Sequence, residues 1–194
     1  MPICNMKREE YLKQNARGYE GDEFLGREIA RLCKLHNINH IIETGTFRGA
    51  TSKRLSELAP VYTVELIPEN YEIAKENCKG YPVTLKLGNS VDAIREWLPN
   101  LKRERLFFFL DAHWEKYNPL LDELHVIALN GIKPVIAIHD FKVPGKPFGF
   151  DSYAGQDYDL EWIEDSLRLI YGKFNYHYNT QAEGAMRGVI FIYP

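Results

Sequence analysis

Residues 41–52 read IIETGTFRGATS. Ile41 and Ile42 end a buried strand that closes on Glu43. Gly45 and Gly49 frame a tight turn, and Thr51 and Ser52 open a helical spacing carried on by Lys53, Arg54, Leu55 and Leu58. A turn that brings bare backbone N–H groups to the start of a helix offers a seat for an anionic or polar group. The acid at the strand end adds an acceptor. That pairing suits a nucleoside with a zwitterionic tail better than a polyphosphate. No Gly-Lys-Ser/Thr follows at P-loop spacing, and Thr46 and Phe47 stand where a full Gly-x-Gly-x-x-Gly would need further glycines. Taken alone, a strand, turn and helix with two glycines is also plain α/β scaffolding.

Outward from this stretch the chain alternates strand and helix. Phe24, Leu25, Ile29, Leu32 and Leu35 recur at three- and four-residue spacing, which predicts an amphipathic helix over 22–36 behind an acidic start. Strands are predicted at 40–43, 61–65, 83–87, 106–110 and 135–138. Helices are predicted at 51–57, 69–78, 91–97 and 118–129. LFFFL at 106–110 is apolar throughout, as a central strand covered on both faces must be. Four acids recur at strand ends: Glu43, Glu65, Asp111 and Asp140. Each alone reads as a cap or a solvated loop residue, but a parallel sheet brings such ends to one rim, where α/β proteins bind ligands.

Beyond Asp140 the pattern changes. Residues 142–157, KVPGKPFGFDSYAGQD, form a long loop rich in Gly, Pro and aromatics, of the kind that is usually functional or mobile. A helix at 158–171 follows, then closing strands at 174–178 and 188–193 that are expected to pair antiparallel. Residues 7–19 are charged and read as a helical arm or lid. The fold class is therefore α/β: a Rossmann-like, doubly wound, mostly parallel seven-stranded sheet with an antiparallel C-terminal hairpin, in one domain over 1–194.

The charge of −3 and a pI near 6.1 give no electrostatic case for nucleic acid. No apolar run reaches the length of a membrane span, and the N-terminal stretch MPICNMKREEYLKQ lacks the apolar core of a signal peptide. Cys4, Cys33 and Cys78 are odd in number and without metal-site spacing, so reduced thiols in a cytoplasmic protein are expected.

ETGTFRG, YTVELIPEN, LGNSVDAI, LDAHWEKY and IHDF occur in an order that resembles the class I S-adenosylmethionine-dependent methyltransferases. The likeness runs from about Gly21 to the C-terminus. It is nearest to the small metal-dependent O-methyltransferases of the catechol and macrolide-sugar kinds. It implies that Glu43, Gly45, Thr46 and Gly49 hold the methionine part of S-adenosyl-L-methionine. It also implies that Glu65 binds the ribose hydroxyls, that Asn89 and Ser90 reach the adenine, and that Asp111 sits beside the methyl donor. A carboxylate is a bidentate acceptor matched to a vicinal diol. A divalent metal, Mg or Mn, would be held by Asp111 and Asp140 with His139 at the remaining place; Phe141 cannot ligate.

The resemblance departs at LDAHWEK. The catechol-type enzymes have a lysine directly after the His-Trp pair, where this chain has Glu115, with Lys116 one place late. His113 and Lys116 are thus the two candidate bases, and Asp111 completes the expected catalytic set. Trp114 reads as packing. The implied activity is O-methylation of a small-molecule hydroxyl, sugar or phenol, with a homodimer as the family-level expectation. Two rivals stay open: a nicotinamide-dependent Rossmann oxidoreductase, since such enzymes also place an acid on the ribose, and a catalytically silent cofactor-binding module. A hydroxylase on a related fold is a third, should a redox metal bind.

Overall fold

The structure, a computed structural model, describes residues 16–113 and 117–194. Most of the expected arm at 7–19, and all of Trp114, Glu115 and Lys116, lie outside the described residues.

Helix α1 (Glu23–Leu35) begins where Asp22 accepts the Leu25 N–H at 3.0 Å, an N-cap that satisfies one orphan donor. It buries Leu25, Ile29 and Leu32; Leu35, expected on the same stripe, is exposed at the last turn. Strand β1 (His40–Thr44) leads through the glycine turn into α2 (Ala50–Ser56), and β2 (Val61–Glu65) into α3 (Pro68–Asn77). Pro68 stands at the first turn of α3, where its missing N–H costs nothing. β3 (Val83–Leu87) leads into α4 (Ser90–Leu101). The Asn89 side chain caps α4, which runs past the expected 91–97 because Leu98 and Leu101 are also buried. β4 (Leu106–Leu110), α5 (Leu120–Leu129) and β5 (Val135–Ile138) complete the parallel part.

Strands β1 to β5 are parallel, in the order β3-β2-β1-β4-β5. β9 (Ile190–Tyr193) pairs antiparallel with β5, and β8 (Asn175–Tyr178) antiparallel with β9. The order reverses between β1 and β4, which opens a crevice beyond their carboxyl ends. β4 divides the core in two. Leu106, Phe108 and Leu110 pack with Ile94, Leu98, Leu124 and Ile127 on one face. Phe107 and Phe109 pack with Leu25, Ile29, Leu32 and Leu55 on the other. Each fully buried phenylalanine contributes about 1.5–3 kcal/mol of transfer free energy. No helix among the described residues is long and apolar enough to cross a membrane.

Residues 142–157, expected as a long loop, carry a short element of their own. They fold back as a hairpin of β6 (Ser152–Tyr153) and β7 (Gln156–Asp157) that leads into α6 (Leu160–Tyr171). The Asp151 N–H bonds the Asp140 carbonyl at 2.9 Å, the Tyr158 N–H the Asp151 carbonyl at 3.0 Å, and the Lys142 N–H the Tyr158 carbonyl at 2.7 Å. These bonds tie the hairpin to the end of β5. Phe148 is buried, whereas Phe150 is exposed beneath the Lys142 ammonium.

Candidate active site

A cavity of about 250 Å³ lies beyond the ends of β1, β2 and β4. Gly45 and Phe47 from the first turn, Glu65 from β2, Gly88 and Ser90 after β3, and Asp111 and His113 after β4 all line it. Gly45 has φ of 86°, and a Cβ there would come within 2.6 Å of the Asp111 carbonyl oxygen. Only glycine lets the two strand ends approach this closely.

Glu65 is the most organised acceptor on the wall. Its Oε2 takes the Phe47 N–H at 2.7 Å and its Oε1 takes the Ile67 N–H at 2.8 Å. The Leu66 N–H and the Asn70 side chain also bond this carboxylate. Burial pushes its pKa up, and the N–H groups of Ile67, Phe47 and Leu66 work against that.

Glu20 also lines the cavity. It lies in the 3-10 turn Tyr19–Gly21, at φ of 51°. Tyr19 anchors that turn: it is buried, its N–H bonds Thr51 Oγ1 at 2.9 Å, and its ring meets Phe109 edge-on. Burial pushes the Glu20 pKa up to about 7. No sequence signal marks this residue, because only the fold carries the turn across the rim. Glu20, Glu65 and Asp111 bring three carboxyl groups to the described cavity lining, which includes no lysine or arginine.

The other residues named from the sequence sit around this wall, not on it. Glu43 is buried beneath the turn, where Ser52 Oγ and Thr63 Oγ1 both donate to its Oε2, the latter at 2.6 Å. Thr46 is buried too, its hydroxyl 2.6 Å from that of Thr63. Gly49 caps α2 in the left-handed region, packed against Cys78, and Asn89 spends its carboxamide oxygen on the start of α4. So Gly45, Glu65, Ser90 and Asp111 share the cavity, and Glu43, Thr46, Gly49 and Asn89 support it from behind.

Burial pushes the Glu43 pKa up to about 8, although the two hydroxyls pull it down. A folded value above the unfolded one means that the native state holds its proton longer. That stability is complete below the unfolded value near 4.5 and is lost as pH rises toward 8. Glu43→Gln, which cannot ionise, is therefore expected to gain melting temperature relative to the natural chain as pH rises from 5 to 8. The difference should approach the order of 4 kcal/mol at the alkaline end. Thermal melts followed by circular dichroism across that range check it; a constant difference would contradict the buried, protonated carboxyl.

Beside the cavity, the ends of β4 and β5 carry a second cluster. His139 Nδ1 lies 3.0 Å from Asp111 Oδ1 and 3.2 Å from Asp140 Oδ1. Burial opposes a charge on this imidazole, but the two carboxylates outweigh it and hold the pKa well above the usual histidine range. Arg187 donates through Nε to Asp140 and through Nη2 to Asp151. Burial alone would raise the Asp140 pKa, yet His139 and Arg187 hold it far below the ordinary aspartate value. Asp140 has φ of 58°, a left-handed conformation that costs about 1–2 kcal/mol outside glycine. The Asp151 N–H on its carbonyl and the two cations on its carboxylate hold it there.

His113 stands between these acids, 3.9 Å from Asp140 Oδ2 and 3.8 Å from Asp151 Oδ2, with 44% of its side chain exposed. Arg187 and Asp151 were not legible as site residues, since long tertiary connections bring them in.

Two triples among the described residues place potential metal-ligand atoms within 4.8 Å of one another: Glu20, His139 and Asp140, and Asp111, His113 and Asp140. The set named from the sequence, Asp111, His139 and Asp140, is also gathered here, with His139 Nδ1 within 3.2 Å of both acids.

No family model matches the chain. A curated relative, O-methyltransferase imqG of Aspergillus flavus, is 30% identical over 96 residues, covering 44% of this chain and 39% of that protein. The chain thus spans well under half the length of that relative. Among solved structures, the O-methyltransferase from Bacillus cereus in complex with SAH is 17% identical with a TM-score of 0.66, over 98% of this chain and 93% of that one. O-methyltransferase TomG from Streptomyces achromogenes, in complex with SAM, is 18% identical with a TM-score of 0.62, over 97% and 90%. The chain shares its fold with these two O-methyltransferases over nearly its whole length, as the sequence resemblance implied.

Proposed function

We propose that this chain transfers a methyl group from S-adenosylmethionine to a hydroxyl of a small molecule, a sugar or a phenol, in a cytoplasmic setting. The observation that carries the reading is Glu65: a carboxylate at the end of β2, on the wall of the cavity, with its two oxygens oriented by the Phe47 and Ile67 N–H groups. The charge of the wall supports the same donor. Three carboxyl groups with no lysine or arginine among the described lining residues favour a sulfonium and an ammonium. The pyrophosphate of a nicotinamide dinucleotide would meet those acids without a partner, which disfavours the oxidoreductase reading.

When bound, S-adenosylmethionine supplies an activated methyl carbon whose bond to sulfur breaks as an acceptor oxygen attacks in line. The chain's own contribution is positioning and charge. Glu65 takes the ribose hydroxyls, and Gly88 and Ser90 form the edge toward the base. Asp111 sets a negative charge opposite the sulfonium. His113, held near Asp140 and Asp151, receives the proton that leaves the acceptor hydroxyl. Lys116, the other candidate base, lies outside the described residues.

Titrating intrinsic fluorescence with S-adenosylhomocysteine and, separately, with NADH tests the donor. Saturable binding of the first alone is expected. Binding of NADH alone, or of neither, would overturn the proposal.

A further inference from the structure

We propose that a second cavity, walled by Phe47 and Arg48 of the glycine turn, is a binding site for a small molecule that carries a phosphate monoester. The site is separate from the cavity beyond β1, β2 and β4, and it does not depend on the methyl-transfer reading.

The second cavity has a volume of about 540 Å³ and is bounded by the turn, by α2, by the C-terminal half of α3 and by Tyr81. Phe47 lines it and the first cavity alike, so the two share a wall. Their charges are opposite. The first carries three carboxyl groups, whereas Arg17, Arg48, Lys53 and Arg54 line the second against one acid, Glu57. That concentration runs against the net charge of −3 for the whole chain. Cations gathered in one concavity repel one another and raise the local concentration of anions. Arg54 already has a partner, since both of its terminal nitrogens bond Glu23, at 3.2 and 3.1 Å. Arg17, Arg48 and Lys53 form no ion pair with any described carboxylate. The Nε of Arg48 is also buried, and it has no hydrogen-bond partner among the described residues. A buried donor left in that state costs free energy that an anionic oxygen in the cavity would recover.

The cations are held in place. Asn77 Nδ2 donates to the Arg48 carbonyl at 2.9 Å, which fastens the turn to α3. The Arg48 guanidinium lies 5.4 Å from the centre of the Phe47 ring, and the Lys53 ammonium 4.9 Å from that of Tyr81. A ring face orients a cation without neutralising it. An arginine fork matches phosphate oxygens in pairs, and a lysine adds a point charge beside it. Three cations without a carboxylate exceed what one carboxylate ligand would balance and suit the dianion of a phosphate monoester. Phe47, Ile73 and Tyr81 offer the rest of such a molecule an apolar wall. The volume is in the range of small-molecule sites.

Calorimetric titration of the full chain with phenyl phosphate at pH 7.5 tests this without any turnover. One molecule per chain is expected to bind with a Kd below about 1 mM. Arg48→Gln is expected to weaken that binding at least about tenfold, the loss of one charge-assisted hydrogen bond. If circular dichroism shows Arg48→Gln unfolded, Lys53→Gln takes its place with the same expectation. Saturation only above about 1 mM, or none, would overturn the proposal. So would a folded variant that binds as well as the natural chain. Displacement of phenyl phosphate by S-adenosylhomocysteine would place the anion in the first cavity and overturn it too. Binding of phosphatidylglycerol vesicles without binding of phenyl phosphate would do the same, because the phosphate read would then be a lipid headgroup. A chain that binds phenyl phosphate but not S-adenosylhomocysteine refutes the methyl donor and leaves this site standing.

Discussion

Glu65→Ala is expected to weaken S-adenosylhomocysteine binding by about 100-fold or more, measured by calorimetry. Two hydrogen bonds to a charged acceptor are worth about 1.5–3 kcal/mol each, so losing both costs at least about 3 kcal/mol. The alanine also frees the Phe47 and Ile67 N–H groups that the carboxylate now occupies, and the rim of the cavity loosens with them. Glu65→Gln keeps one oxygen acceptor and the side-chain volume, and a loss nearer tenfold is expected. In turnover the effect should fall mainly on KM for the donor, because the ribose contacts serve ground and transition states alike. Equal donor binding in the natural chain and Glu65→Ala would remove the residue from the site.

Asp111→Asn is expected to lower kcat/KM by about 10³ while leaving S-adenosylhomocysteine affinity within a few-fold. The substitution keeps the shape and removes the charge at the crossing of the two clusters. Asp111 lines the cavity and is one of the two carboxylates on His139. On the proposed reading, losing it takes away the negative charge that would face the sulfonium, and it leaves the buried His139 ring with Asp140 alone. Breaking one partner of a buried pair costs about 3–5 kcal/mol, so a lower melting temperature should accompany the loss of rate. Single-turnover rates at saturating donor separate the chemical defect from the stability defect.

What could be read from the residues alone was whatever depends on neighbours in sequence. LFFFL had to be a central strand, since no other placement buries five apolar side chains in a row on both faces, and β4 is that strand. The acids at strand ends were legible because the alternation of strand and helix puts them on one rim. Glu65 and Asp111 do line one cavity. Glu43 sits lower because Ser52 and Thr63, each unremarkable in sequence, turn hydroxyls toward it and draw it into the core.

The rest depends on distant contacts. Glu20 reaches the cavity through the packing of Tyr19 on Phe109, some ninety residues away. Arg187 reaches Asp140 across 47 positions, and its only local mark is the glycine that follows it. The hairpin in residues 142–157 was hidden by its brevity, as two paired residues on each side carry no periodicity. His139 was placed among metal ligands by the family pattern. The structure places its Nδ1 at hydrogen-bonding distance from both of the acids named with it.

The central claim is that the carboxylates along this rim hold an adenosyl donor with its sulfur next to Asp111. A crystal structure of the chain with S-adenosylhomocysteine tests it most directly. The account predicts ribose hydroxyls on both oxygens of Glu65 and the thioether sulfur in the cavity beside Asp111. Ligand density elsewhere on the surface, or a ribose that does not touch Glu65, would contradict it.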